Sequence, residues 1–269
     1  MIYLKTCFSA SHEVKFLKLN LRESLKHIDK FIICEFNRTH TGVERELIFN
    51  KYFDDFTEQE KKKIIYIGAD ISKYTQFSIT DGNITRRNEI LMQGYFVKEL
   101  GLNNQDIVFS VDADEIIYSH MYQPIIKKIN FFNPCLLLKL NLFFYKINYL
   151  WVSNEFKAPV ACKVGFYKNR YPSSWRYEGK LFPITAGCHF SWCLTIDEMI
   201  DKLGRYIHTD IYGHFAKREI LEDAVKNKKY PFESKQVFDI NVLDLEHNKN
   251  YYPQAIYSML NEFNYLIGQ

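Results

Sequence analysis

The feature that most constrains this chain is a recurring one: a short apolar run that stops abruptly in polar or acidic residues. Phe31-Ile32-Ile33-Cys34 opens into the polar stretch 35–42, and Ile107-Val108-Phe109-Ser110-Val111 runs straight into Asp112-Ala113-Asp114-Glu115. Runs of this length without alternation mark strands covered on both faces. Ile64-Ile65-Tyr66-Ile67 repeats the pattern, and residues 2–8 also read as a strand. Between them, Val14, Leu17, Leu21, Leu25 and Ile28 recur at three- and four-residue spacing, which predicts an amphipathic helix over 14–28. Residues 85–100, 195–207 and 216–227 also read as helices, whereas the alternation of Leu138, Leu140 and Leu142 with Lys139 and Asn141 predicts an antiparallel strand over 136–147. Strand and helix alternating in this order predict an α/β chain with a mostly parallel central sheet and helices on its faces. Ligands of such sheets bind beyond the carboxyl ends of the strands, where both 35–42 and 112–115 fall.

Composition narrows the partners. The 269 residues carry no Pro/Gly/Ser linker or repeat, so 1–269 reads as one domain, with about 231–269 as a C-terminal extension packed on it. With 47% hydrophobic residues there is material for a large core, which excludes disorder, and a net charge of +3 is too small to draw nucleic acid. The longest apolar region, 131–152, is broken by Lys139, Asn141, Lys146 and Asn148, so no membrane span is expected. The opening residues read as a strand rather than a signal peptide, and the expected location is cytoplasmic. Six scattered cysteines without a CxxC pair read as reduced, buried thiols.

Three segments carry candidate chemistry. Asp112, Asp114 and Glu115 cluster after a buried strand; left alone they repel one another, and a divalent cation on hard oxygen ligands relieves that cost. The competing reading is a solvated acidic turn or helix cap. In Ala186-Gly187-Cys188-His189-Phe190-Ser191-Trp192-Cys193, His189 is either a metal or phosphate ligand or a core histidine, and Trp192 either a sugar platform or core. In His208-Thr209-Asp210, Asp210 is either a base or a capping residue. Arg38, Arg86, Arg87 and Lys202 are basic candidates for a diphosphate, although Arg86 and Arg87 cannot both face one site from a helix. No P-loop, GxGxxG or GxSxG fingerprint is present.

Taken together, these segments resemble the β-1,4-mannosyl-glycoprotein 4-β-N-acetylglucosaminyltransferases, glycosyltransferase family 17. The resemblance lies in four ordered blocks: Glu35, Asn37, Thr39 and Gly42 of an ExNxTxxG loop; Asp112, Asp114, Glu115 and Ile116 of a D-x-D-E-I motif; Ala186, Gly187, His189, Ser191, Trp192 and Cys193 of an A-G-x-H-x-S-W-C block; and Lys202-Leu203 followed by Asp210. Ile117 stands where the family usually has proline after D-E-I. The resemblance implies a GT-A type, Rossmann-like α/β/α sandwich and an inverting, metal-dependent transfer of GlcNAc or a related hexose from a UDP-sugar to a glycan hydroxyl. It assigns Mn²⁺ or Mg²⁺ to Asp112, Asp114 and His189. Asn37, Thr39, Asp112, Arg87, His189, Trp192 and Lys202 would bind the donor. Asp210 would be the base, with Glu35 second, and Glu115 would orient the pair or touch the sugar. A metal-dependent phosphohydrolase or nucleotidyltransferase, or a carbohydrate binder without turnover, are the alternatives on such a fold.

Overall fold

The structure, a computed structural model, describes residues 1–170, 178–205, 208–232 and 237–269; the side chains of Lys98, Arg170, Arg205, Thr209 and Asp210 lie outside the description. The first half alternates as expected. β1 (Ile2–Phe8) leads to α1 (Val14–Ser24), β2 (Lys30–Phe36), the single turn α2 (Glu58–Lys61), β3 (Ile64–Ala69), α3 (Gly82–Gly94), α4 (Phe96–Glu99) and β4 (Ile107–Ser110). The second half holds β5 (Glu115–Ile117), α5 (Tyr122–Lys128), β6 (Cys135–Phe144), β7 (Tyr149–Trp151), β8 (Phe156–Lys163), α6 (Val164–Arg170) and β9 (Lys180–Ser191). It closes with α7 (Ile196–Arg205), α8 (Thr209–Tyr212), α9 (Arg218–Lys226), β10 (Ile240–Val242) and α10 (Leu260–Phe263).

The sheet runs β10-β7-β6-β8-β4-β1-β2-β3, with β9 beside β6 and β5 beside β9. The strands β4, β1, β2 and β3 pair in parallel, and β6 and β9, though separated from them by the reversed β8, point the same way. Only β5, β7 and β8 run against this direction among the described strands. Alternate side chains feed two cores. Leu4, Phe8, Phe31 and Ile33 pack with Phe16 and Leu17 of α1 and Tyr122 of α5; Tyr3, Ile32, Cys34 and Phe36 pack with Met92 of α3, Phe96 of α4 and Tyr167 of α6. Helices on both faces of one sheet make the α/β/α sandwich the sequence predicts.

Local departures have local causes. α1 stops at Ser24 rather than running to Ile28: His27 and Ile28 N–H both donate to the Ser24 carbonyl, closing the turn, and Asp29 N–H already pairs with Ile2 of β1. α3 starts at Gly82, before the expected 85, because the Asp81 carboxylate caps Asn83 N–H at 2.8 Å. The C-terminal residues enter the first core through Tyr252, Ile256, Met259, Phe263 and Leu266. No helix among the described residues is long and apolar enough to cross a membrane.

Candidate active site

A cavity of about 260 Å³ opens at the carboxyl ends of β1, β2 and β4. Asp112 and Asp114 stand on its wall with Thr39, His189, Trp192 and Lys202. Arg86 lines it, whereas Arg87, two faces of one helix being incompatible, is exposed and turned elsewhere. Neither Glu35, Asn37 nor Glu115 reaches the wall.

The acidic turn is clamped from three sides. Asp112 N–H donates to the buried Glu115 carboxylate at 2.6 Å, and Glu115 N–H returns to the Asp112 carbonyl at 3.0 Å. Asn20, buried on α1, donates to the carbonyls of Ala113 and Glu115, and Phe190 N–H donates to that of Asp114. Glu115 is therefore the brace of the turn, and the side chains aimed at the cavity are those of Asp112 and Asp114.

Gly187 explains how the turn meets the histidine block. A Cβ there would collide with the Ile116 carbonyl, so only glycine lets β5 lie against β9. That pairing sets Glu115 opposite His189 in register. His189 Nε2 then faces Asp114 Oδ1 at 3.4 Å, and Lys202 Nζ approaches its other oxygen at 3.7 Å. Burial raises the Asp114 carboxyl, but His189 and Lys202 outweigh it and hold the group well below the usual carboxylate range. Lys202 also rests over the Trp192 ring, 5.2 Å from its centroid. Trp192 adopts a left-handed backbone, φ 56°, a conformation costly for a bulky residue, and its ring is mostly core, packed on Phe232.

The first-strand loop divides between wall and scaffold: Phe36, Arg38, Thr39 and His40 line the cavity, whereas Glu35 and Asn37 brace it from behind. Glu35 is wholly buried and its carboxylate accepts from Arg45 (2.7 Å), Ile48 N–H, Phe49 N–H and the Tyr66 hydroxyl. A carboxylate with four donors is poorly placed to take an acceptor's proton. Asn37 pins the end of β3 through Asp70, Ser72 and Ile71 N–H, so its amide is spent on the scaffold. Thr39, on the wall, bonds Thr41, and Gly42 turns back with φ 81° where a Cβ would strike the Gln76 backbone. Asn88 of α3 donates to the carbonyls of His40 and Gln76, holding that loop against the sheet.

Asp210 belongs to α8, and its side chain lies outside the described residues; His208, two positions earlier, lines the cavity. Three participants have no sequence motif. Glu13, in the β1–α1 turn, lines the wall; burial pushes its carboxyl up against the hydrogen bonds from Ser9 and the charge of Lys202. Lys5, fully buried in β1, donates to Gln93 Oε1, and Gln93 Nε2 donates on to Asp112 Oδ1 at 3.2 Å. A lysine inside an apolar strand was the available signal, since Lys is almost never fully buried without a purpose in pairing.

The chain matches the profile of glycosyltransferase family 17 over residues 5–240. It belongs to that family. The match favours the glycosyltransferase over the phosphohydrolase and the inert binder, and the family 17 chain is an enzyme of that class. No curated protein matches it. Among solved structures, 4-diphosphocytidyl-2C-methyl-D-erythritol synthase from Anaerococcus prevotii is 11% identical at a TM-score of 0.39, over 68% of this chain and 86% of that one. The bifunctional IspDF of Campylobacter jejuni is 9% identical at 0.40, over 76% and 53%. The galactosyltransferase LgtC, solved with donor and acceptor sugar analogs, is 8% identical at 0.38, over 64% and 61%. The assignment of this family 17 chain rests on the family match alone.

Proposed function

We propose that this glycosyltransferase moves GlcNAc or a related hexose from a UDP-sugar to a hydroxyl of a glycan acceptor, with inversion. The observation that carries the reading is one cavity wall that holds two carboxylates, Asp112 and Asp114, together with Lys202, His189 and Arg86; Lys202 and His189 approach Asp114, and Arg86 pairs with Glu89 on the same wall. A diphosphate needs cationic partners, and a cation bridging it needs hard oxygens; this wall offers both.

The residues fit Mn²⁺ or Mg²⁺ in part. Asp112 and Asp114 are oxygen ligands of the right hardness, and Asp114 is kept ionised. Among the described residues, however, no three His, Cys, Asp or Glu side chains converge as a ligand group, and His189 Nδ1 is buried without a hydrogen-bond partner while Nε2 faces Asp114. The cation would therefore be held by the two aspartates and take the rest of its shell from diphosphate and water. Bound there, it would offset charge on the departing diphosphate. Lys202 and Arg86 would bind the same phosphates, and Trp192 would position Lys202.

In the transfer, the bond between the anomeric carbon and the phosphate oxygen breaks as the acceptor oxygen bonds to that carbon. UDP leaves, and the acceptor's proton passes to a carboxylate. Asp210, two positions after the cavity-lining His208 in the chain, is our choice, and Glu13 on the wall is the competitor. Asp210→Asn should retain UDP binding and lose about 10²–10⁴ in turnover. Glu13→Gln should keep most of it. The reverse ranking would transfer the role to Glu13, and the acid limb of kcat/KM would then lie above the ordinary carboxylate range, as its raised pKa requires, and vanish in Glu13→Gln.

Gln93 is a positioning residue on this reading, since it orients Asp112 from behind. Gln93→Ala should raise the Mn²⁺ concentration for half-maximal activity by about tenfold or more. An unchanged Mn²⁺ requirement would mean that the Lys5–Gln93–Asp112 chain serves folding only.

A further inference from the structure

The most exposed large apolar side chains of the described residues are neighbours: Phe131 is 84% exposed and Phe132 87%. They are not on a slack loop. The Asn130 side chain accepts from Phe132 N–H and Asn133 N–H, both at 2.9 Å, and Asn130 N–H donates to the Asn133 carbonyl. This closed turn, ending at Pro134, sets the two rings edge to face at 5.5 Å and projects both outward. Leaving a phenylalanine in water forgoes about 1.5–3 kcal/mol of burial per side chain, so a built turn that displays two calls for something to cover them.

What surrounds the turn identifies the cover. Lys127 and Lys128 of α5 immediately precede it, and with Pro124 they line a shallow apolar hollow against Phe182, Pro183 and Ile184 of β9. The register Leu136↔Lys180 brings Lys180 and the exposed Leu181 alongside the start of β6. Residues 122–134 and 178–184 contain Lys127, Lys128 and Lys180 against a single acid, Glu178. No ion pair engages these three lysines among the described residues, and all three are exposed. A protruding apolar tip beside three exposed lysines that form no ion pair among the described residues matches an interface that is apolar below and anionic at its surface.

We infer that this end of the molecule seats on an anionic lipid bilayer, Phe131 and Phe132 entering the acyl boundary and the lysines meeting the headgroups. The site lies at the amino ends of β6 and β9, eight residues of strand, or roughly 25 Å, from His189, so the catalytic cavity faces away from the membrane. The inference does not rest on the identity of the sugar donor.

Co-sedimentation with phosphatidylcholine vesicles, with and without phosphatidylserine, tests it. The protein should bind the phosphatidylserine vesicles, and F131S/F132S should lower that affinity about tenfold or more. K127E/K128E should lower it to a similar extent and abolish the preference for phosphatidylserine. Both variants should keep their thermal midpoint and their activity on a soluble acceptor, since neither touches the cavity. Absence of binding to either vesicle, or binding that both variants preserve, overturns the inference. So does a protein that sediments as a dimer in free solution and as a monomer in F131S/F132S, because the rings would then be covered by a second copy.

Discussion

Asp114→Ala is expected to lose at least about 10³ in kcat/KM, together with the dependence of UDP binding on Mn²⁺. The side chain is the meeting point of the site: His189 and Lys202 both approach its oxygens, and the backbone behind it is fixed by Phe190 and Asn20. Truncation leaves Lys202 and His189 without their carboxylate and removes one of the two wall carboxylates that a cation would use. The fold should survive, because Glu115 and Asn20 hold the turn through backbone groups the substitution leaves intact. Transfer assays and UDP titrations with and without Mn²⁺, on a protein of unchanged circular dichroism, are the measurement. A variant retaining a tenth of wild-type turnover would remove Asp114 from the reacting centre. The low carboxyl pKa adds a pH condition: the ion pair of ionised Asp114 with Lys202 is present above the ordinary carboxylate range and persists as pH falls, until it passes the depressed folded value.

The second large effect is on stability. Glu35→Ala is expected to cost about 3–5 kcal/mol, because it leaves the Arg45 guanidinium buried against an absent partner and strips Ile48 N–H, Phe49 N–H and Tyr66 of their acceptor. For a chain of this size the thermal midpoint should fall on the order of 10 °C. Arg45→Ala added to that background should cost much less than it does alone, the signature of a coupled pair. Turnover of the folded protein, measured well below the midpoint, should stay within several-fold of wild type. If stability were unaffected and turnover lost, Glu35 would be a catalytic carboxylate after all, and the scaffold role drawn from its four hydrogen bonds would be wrong.

Much of the scaffold was legible in the residues. Continuous apolar runs announced β2, β3 and β4, and three- and four-residue spacing announced α1, because both periods record which faces lose water; β1, α7 and α9 were also read as a strand and two helices. The strands β8 and β9 were not legible: each carries a proline, Pro159 and Pro183, which argues against a strand in isolation, and β9 mixes charged, apolar and small residues without a period. Their pairing with β4, β5 and β6 depends on partners far along the chain.

The sequence by itself determined that this is an α/β chain of a glycosyltransferase family, with an acidic turn at the end of a buried strand and a Gly-x-His block to meet it. Both facts reside in consecutive residues, where local period and motif spacing are recorded. Only the tertiary structure decided what each polar side chain does there. It turned Glu35, Asn37 and Glu115 inward as braces, chose Arg86 over Arg87, and brought Glu13, Lys5 and Gln93 to the site. Whether a carboxylate is a brace or a ligand depends on how many donors surround it in space, and those donors come from strands and helices that the linear order keeps apart.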